Sequence, residues 1–154
     1  MDNEAEGKSP FTNVGQVGVI VRDMEKAVEY YSSLGIGPFK TLNVSRYDRR
    51  VYGKPMGDDH KNLLLVAQMG PIELELIQPV SGDSVQKQFL ETKGEGINHL
   101  GFFVDDLEKE VAKLVRKGFK VINSVKYVGG GGVAYLDTDR IGGVCFELIQ
   151  RPPL

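Results

Sequence analysis

Residues 16–28, QVGVIVRDMEKAV, and residues 99–111, HLGFFVDDLEKEV, repeat one another at an offset of 83 positions. Each copy runs from a β-rich segment into an aspartate, Asp23 or Asp106, and then into apolar residues spaced at three and four positions. Aspartate is a preferred helix N-cap, and a glycine, a preferred helix stop, follows each helical stretch. The pattern therefore predicts a strand followed by a helix, twice.

Three further strand-like runs follow each helix and complete an α+β fold of two βαβββ modules that form a cup-shaped mixed sheet. The predicted strands cover about 39–46, 63–68 and 72–78 in the first copy and 120–128, 133–137 and 144–150 in the second. With 154 residues, the chain has room for one domain or two small halves. We predict a disordered tail over 1–12, a first module over 13–80, a linker with a short helix near 85–92 over 81–96, and a second module over 97–151.

The final strands of the two modules also match, as IELELIQP at residues 72–79 and VCFELIQRP at residues 144–152. Glu75 and Glu147 are 72 positions apart, eleven fewer than the offset of the first strands. The first module therefore carries about eleven extra residues. We assign them to a charged loop over 47–61, and long loops of this kind often cover ligands.

Polar side chains occupy equivalent places on the matching strands. Gln16 and His99 begin the repeated stretches, and Glu75 and Glu147 lie on the matching last strands. Because residues i and i+2 of a strand share a face, these four side chains alternate with apolar residues that the helices would cover. We expect them on the concave face, where a glycine two positions after Gln16 or His99 leaves space for a ligand.

Two carboxylates, an imidazole and an amide oxygen in one cavity need a counterion, because buried carboxylates repel each other and lose their hydration. Taken singly, a strand glutamate is usually solvated and a lone histidine is usually a hydrogen-bonded core residue. The coincidence in both halves favours a site for a divalent cation. Mostly oxygen donors with one nitrogen suit Zn, Co, Ni or Mn and do not choose among them.

Charge and composition exclude other classes of protein. The 19 basic and 21 acidic residues leave a formal net charge of -2, which argues against a nucleic-acid partner. The single cysteine, Cys145, has no partner for an internal disulfide, and we interpret it as a small apolar filler in a reducing compartment. The acidic, polar start of the chain lacks the features of a secretion signal, and no apolar run is long enough to span a membrane. We expect a cytoplasmic protein without a membrane partner.

From about residue 14 to residue 151 the chain resembles the vicinal oxygen chelate superfamily, which includes glyoxalase I, methylmalonyl-CoA epimerase, extradiol dioxygenases and bleomycin-resistance proteins. The quoted stretches look most like the epimerase branch. The resemblance implies that Gln16, Glu75, His99 and Glu147 are the metal ligands. The epimerases usually have histidine where this chain has Gln16, whereas eukaryotic glyoxalase I uses a Gln, Glu, His, Glu set.

The epimerase resemblance implies abstraction of the proton α to a thioester carbonyl through a metal-bound enolate. Glu147 is the expected base. Epimerisation also needs a donor on the opposite face, and the resemblance points to the segment around Asp58 and Asp59, with Asp59 chosen. Glu75 is the alternative second acid/base.

Basic residues of the insertion, Arg49 and Arg50 among them, are expected to bind an anionic substrate such as an acyl-CoA or another thioester. A solubilising role for them is the other interpretation. Two alternatives to the epimerase remain, a glyoxalase I-like lactoylglutathione lyase and a non-catalytic protein that binds small molecules. Members of the superfamily commonly form homodimers, and we expect one here.

Overall fold

A computed structural model describes residues 7–42, 44–57 and 59–153. In chain order, the elements of this part are β1 (Val14–Ile20), α1 (Met24–Ser33), β2 (Lys40–Thr41), β3 (Arg46–Val51), β4 (Lys54–Pro55), β5 (Lys61–Met69), β6 (Ile72–Ser81), α2 (Val85–Lys93), β7 (Gly96–Phe103), α3 (Leu107–Arg116), β8 (Val121–Tyr127), β9 (Gly132–Leu136) and β10 (Cys145–Gln150). The predicted helices and most of the predicted strands are present. Among the described residues of the run predicted over 39–46, Lys40–Thr41 form β2 and Arg46 begins β3.

The chain divides into two compact units that do not follow the sequence order. The first unit comprises the described parts of 15–44 and 57–100, and the second comprises those of 1–14, 45–56 and 101–154. In the first unit the strand order is β2-β5-β6-β1-β7, with β1 parallel to β6 and β5 antiparallel to both β2 and β6. In the second unit the order is β10-β9-β8-β3-β4, and all of these pairs are antiparallel.

The insertion is not the open loop that the sequence predicts. Residues 46–55 form the β3-β4 hairpin, and β3 pairs with β8, so that Arg50 lies opposite Ser124 and Val51 opposite Asn123. Two residues of this hairpin, Asp48 and Tyr52, have positive φ angles of 50° and 49°. The sequence RYDRRV is mostly charged and does not alternate between polar and apolar residues, so its pairing with a distant strand is not revealed by local patterns.

The two repeated helices begin with the same contact, an aspartate side chain that caps the first turn. Asp23 accepts a hydrogen bond from the Lys26 N–H, and Asp106 accepts one from the Lys109 N–H, both at 3.1 Å. The predicted N-caps are therefore confirmed.

A glutamine of the last strand of each module completes each helix start. The Met24 N–H donates to Gln78 Oε1 at 2.7 Å, and the Leu107 N–H donates to Gln150 Oε1 at 2.9 Å. The glutamine of the repeated Leu-Ile-Gln motif therefore has a structural role. It accepts a hydrogen bond from a backbone N–H that has no partner within the helix.

The core of the first unit lies between α1 and the sheet. Its buried members come from β1, from Val21 just after it, from α1 and from β6, and several partly buried apolar side chains pack around them, among them Tyr31, Ile36, Phe39 and Met69. This is the predicted match between the apolar stripe of the helix and the apolar faces of the strands.

Residues just before β1 also pack in the second unit. The ring of Phe11 lies 5.1 Å from the ring of Phe102 and 5.2 Å from the ring of Phe146, measured between centroids. This part of the predicted tail therefore carries an aromatic contact, while residues 1–6 lie outside the described residues. In the part of the chain that the structure describes, no helix is long and apolar enough to cross a bilayer.

Candidate functional site

Three of the four predicted metal ligands come together inside the first unit. Gln16 on β1, Glu75 on β6 and His99 on β7 are all buried, and the imidazole of His99 is fully inaccessible. His99 Nε2 lies 2.9 Å from Gln16 Oε1 and 3.8 Å from Glu75 Oε1. Because these strands are neighbours in the order β6-β1-β7, the repeat positions converge on one face.

Gly18 makes room for the imidazole. It lies opposite Glu75 in the parallel β1-β6 register, and a Cβ atom at this position would collide with the Cε1, Nδ1 and Nε2 atoms of His99. The sequence interpretation, that this glycine leaves space for a ligand, is therefore corrected. The space holds the ring of His99 instead, because the absence of a side chain lets the neighbouring strand place an aromatic ring there.

The polar atoms of this cluster fit a divalent cation. Donor atoms that bind one ion at about 2.1 Å lie roughly 3 Å apart, which is the scale of the separations around His99 Nε2. The donor set combines a neutral amide oxygen, a carboxylate and an imidazole, as borderline metals accept. Among the described residues, no three histidine, cysteine, aspartate or glutamate side chains form a metal-ligating group, and this cluster contains two residues of these types, Glu75 and His99.

Two further side chains orient the trio, and the sequence analysis did not assign them a role. The Gln16 amide N–H donates to Glu73 Oε1 at 3.2 Å, which turns the amide oxygen toward His99. On the other side of the ring, His99 Nδ1 lies 3.3 Å from Asn98 Oδ1. When Nε2 binds an ion, the proton resides on Nδ1, and an acceptor at that nitrogen fixes the ring. Glu73 is two positions before Glu75, so the strand pattern already places it on the same face as the trio.

Glu147 lies in the second unit, in a row of buried polar side chains. Its partner across the β10-β9 pair is Tyr135, and the partner of Tyr135 on β8 is Asn123. The three residues are 4%, 5% and 7% exposed. Directly opposite residues of neighbouring strands share a face, so a carboxylate, a phenol and an amide line the same side of this sheet. Nothing in the sequence singles out Tyr135 and Asn123 as site residues. Only the strand register places them beside Glu147.

Arg49 and Arg50 separate onto opposite faces of β3. Arg50 lies opposite Ser124, and its Nε donates to Asp48 Oδ1 at 3.0 Å on the solvated side. Arg49 is only 7% exposed, although it lies in a charged hairpin. Because adjacent strand residues alternate, Arg49 belongs to the same face as Val51 and its partner Asn123. Of the two arginines, the structure brings only Arg49 to the face that carries Glu147.

Asp59 is the predicted site residue that the structure does not bring to the trio. It is exposed, and its carbonyl oxygen packs where a Cβ of Gly82 would lie. Lys61, two residues later, pairs with Ser81, six residues along β6 from Glu75, which corresponds to roughly 20 Å of extended strand. Asp58, the alternative in this segment, lies outside the described residues.

Cys145 is a buried thiol beside the row of Glu147. Its S–H donates to the Leu136 carbonyl oxygen at 3.1 Å. Burial, followed by the nearby charge of Glu147, raises the pKa of the Cys145 thiol to about 12. A thiol that stays protonated in this way is a poor nucleophile, in agreement with its interpretation as a small filler.

Comparisons with known proteins show the family and the fold. The model of the glyoxalase/bleomycin resistance protein/dioxygenase superfamily matches residues 15–135. The mitochondrial methylmalonyl-CoA epimerase of Bos taurus is 27% identical over 155 residues, with 94% of this chain and 79% of the relative covered.

Solved structures with similar folds include two methylmalonyl-CoA epimerases. The enzyme of Mycobacterium tuberculosis superposes with a TM-score of 0.68 at 23% identity, covering 96% of this chain and 93% of that one. A variant of the Streptomyces coelicolor enzyme in complex with 2-nitronate-propionyl-CoA superposes with a TM-score of 0.67 at 22% identity, covering 90% and 94%. The predicted resemblance and the predicted fold class are thereby confirmed.

Proposed function

Because the chain belongs to the glyoxalase/bleomycin resistance protein/dioxygenase superfamily, we propose that it is a metal-dependent isomerase of the methylmalonyl-CoA epimerase type. The proposed reaction moves the proton on the carbon α to a thioester carbonyl. The observation that carries the proposal is the buried trio of Gln16, Glu75 and His99. The 27% identity to an epimerase over most of both chains supports the same reaction class.

Gln16 Oε1, a carboxylate oxygen of Glu75 and His99 Nε2 would hold the divalent ion. When bound, such an ion supplies Lewis-acid stabilisation of negative charge that develops on a carbonyl oxygen. For this to happen, His99 has to give up the proton on Nε2 and keep one on Nδ1, where Asn98 Oδ1 accepts it. Glu73 holds the Gln16 amide so that its oxygen faces the ring.

Glu147 is the proposed base that removes the α-proton, and it is also the fourth metal ligand expected from the resemblance. Its place in a row of buried polar side chains supports the role, because a general base has to lie within reach of the proton that it removes. Tyr135 and Asn123, which share its face, offer a phenol and an amide for orienting the substrate. Glu75 is the proposed second acid/base, since it lies in the trio and Asp59 does not.

An acyl-CoA or related thioester is the proposed substrate, and Arg49 is the proposed anion-binding residue. A buried guanidinium can bind a carboxylate or phosphate in a bidentate manner. The acyl-CoA ligand in the structure of the Streptomyces coelicolor enzyme supports this substrate class.

The decisive experiment measures proton exchange. Purified protein is stripped with a chelator, reconstituted separately with Co, Zn, Ni or Mn, and incubated with methylmalonyl-CoA in deuterated water. We expect one deuterium at the α-carbon, detected by mass spectrometry, and at least a hundredfold slower exchange in the stripped protein. Absence of exchange with every metal would overturn the proposal.

Two variants assign the base. Glu147→Gln should lower the exchange rate by about 10²- to 10⁴-fold, the usual contribution of a positioned general base. Glu29→Gln, the same change at an exposed position of α1, serves as the control and should keep the wild-type rate. Equal exchange by the two variants would remove Glu147 from the mechanism.

A glyoxalase I-like lyase is the second candidate, and the amide of Gln16 favours it. The Gln, Glu, His, Glu set matches the one that the resemblance gives for eukaryotic glyoxalase I. The same metal-reconstituted samples are therefore assayed with the hemithioacetal of methylglyoxal and glutathione. Turnover of this adduct without exchange of methylmalonyl-CoA would transfer the assignment to the lyase.

A further inference from the structure

The second unit contains a cavity of about 740 Å³ on the face of its sheet that α3 covers. Its walls are mainly apolar side chains of α3, β8 and β9, including Val111, Val115, Val121 and Ala134. Ser124 and Ala134 in this wall alternate with Asn123 and Tyr135, which face the other way. The cavity is thus separate from the row that contains Glu147.

The matching place in the first unit is filled. There the side chains of Tyr31, Ile36, Phe39 and Met69 pack between α1 and the sheet. In the second copy of the repeat the position of Val28 is Val111, which lines the cavity. Val115 on α3 remains 52% exposed beside the cavity. A concave and largely apolar surface of this kind is typical of ligand sites.

Charged side chains surround the opening, and the cations outnumber the acids. Arg50, Lys120 and Lys126 are the cations, and Asp48 and Glu108 are the acids. Asp48 lies between two of the cations, 3.0 Å from Arg50 Nε and 3.3 Å from Lys126 Nζ. The hydrogen bond from Lys126, followed by the contribution of Arg50, lowers the pKa of the Asp48 carboxyl. This network holds two cationic heads at the edge of an apolar wall.

We propose that this cavity binds an unbranched alkyl carboxylate, with the chain against α3, β8 and β9 and the carboxylate at Arg50 and Lys126. The volume lies within the roughly 300 to 1,000 Å³ range of ligand sites. An alkyl chain needs no hydrogen-bond partners and suits the apolar wall. A monoanion suits an opening with one more cation than acids.

The test uses dodecanoate as the probe, below its micellar concentration, in isothermal titration calorimetry with the full chain. We expect saturable binding of one molecule per chain. Dodecyltrimethylammonium, which has the same chain and the opposite head charge, should bind at least tenfold more weakly. Absence of saturable dodecanoate binding, or equal affinity for the two probes, would overturn the proposal.

Substitutions locate the bound molecule. Val111→Phe places a ring in the cavity and should abolish dodecanoate binding, whereas Val128→Phe, the same change at an exposed position outside the lining, should retain it. Equal binding by both variants would place the probe elsewhere and overturn the proposal. If the wild type is instead a dimer that binds no dodecanoate, and Val111→Phe makes it monomeric, a second copy occupies the face and the proposal also fails.

A surface variant keeps the test independent of core packing. Lys126→Glu reverses one rim charge and should weaken dodecanoate about tenfold or more while strengthening dodecyltrimethylammonium. Arg116→Glu, on the exposed side of α3 and outside the lining, is the charge-matched control. The same response to both variants would show that only net charge matters, which contradicts a carboxylate bound at the rim.

Discussion

At the scale of the residue, the candidate site depends on a glycine, Gly18, next to the imidazole of His99. Gly18 has no Cβ, and the ring of His99 occupies the volume that a Cβ would need. The three polar residues of the trio are ordinary strand residues when taken singly. Their chemistry depends on this close approach of two strands, which sets the separation of His99 Nε2 from Gln16 and Glu75.

Gly18→Ala should displace the imidazole and lower the free energy of unfolding by about 2 kcal/mol, as overpacking of a core does. It should also weaken metal binding, which titration of the stripped protein with cobalt measures. Gly57→Ala is the control, because a Cβ at residue 57 meets nothing within 4 Å. Wild-type stability and cobalt affinity in Gly18→Ala would contradict the role given to this glycine.

The raised pKa of Cys145 predicts that its thiol is alkylated slowly. The native protein should react with iodoacetamide at pH 8 about a thousandfold more slowly than the urea-unfolded chain, because the pKa rises from an ordinary 9.0 to about 12. Cys145 is the only cysteine in the sequence, so the labelled mass reports this site alone. Equal labelling rates in the two states would contradict the burial of the thiol.

The raised pKa of Cys145 also predicts how the stability of the protein changes with pH. Between pH 9 and 12 the unfolded chain loses the thiol proton while the folded chain keeps it. The unfolded state then binds fewer protons, so the contribution of Cys145 to stability falls as pH rises through this window. The urea midpoint of Cys145→Ala should therefore decline less between pH 8 and pH 10 than that of the wild type.

At the scale of the element, both copies of the repeat stabilise the start of their helix with the same contacts. In both copies an aspartate caps the helix and a glutamine from the last strand accepts from the first backbone N–H of the helix. Local chemistry alone predicts the aspartate cap. The glutamine contact joins positions 54 and 43 residues apart, so only the folded chain reveals it.

Asp106→Ala should lower the free energy of unfolding by about 1 kcal/mol, since it removes the acceptor for the Lys109 N–H. The neighbouring exposed Asp105→Ala makes the same change without the cap and should cost less than half as much. Urea denaturation monitored by circular dichroism measures both. Equal losses would mean that the charge near the helix start, and not the hydrogen bond, sets the effect.

At the scale of the whole molecule, the compact units do not coincide with the two sequence repeats. The β3-β4 hairpin lies within the first repeat, but it extends the sheet of the second unit through β8. Phe11 likewise precedes the first repeat and packs on Phe102 and Phe146. Both contacts link positions far apart in the chain, so no local pattern encodes them.

Phe11→Ala should lower the free energy of unfolding by about 2 kcal/mol, because two ring contacts and part of the buried apolar area are lost. Thr12→Ala, at the next and exposed position, should change it by less than about 0.5 kcal/mol. Thermal denaturation compares the two. Equal stability of the variants would show that the residues before β1 do not contribute to the fold.

The repeat by itself determined the two modules, the helix caps and the positions of Gln16, Glu75, His99 and Glu147, because strand and helix periodicities and capping are local properties of the chain. Strand pairing decided the rest. It separated Arg49 from Arg50, left Asp59 exposed at a distance from Glu75, and turned the expected loop into a hairpin on β8. Register joins residues that are distant in sequence, and the side chain that faces a site follows from that partner.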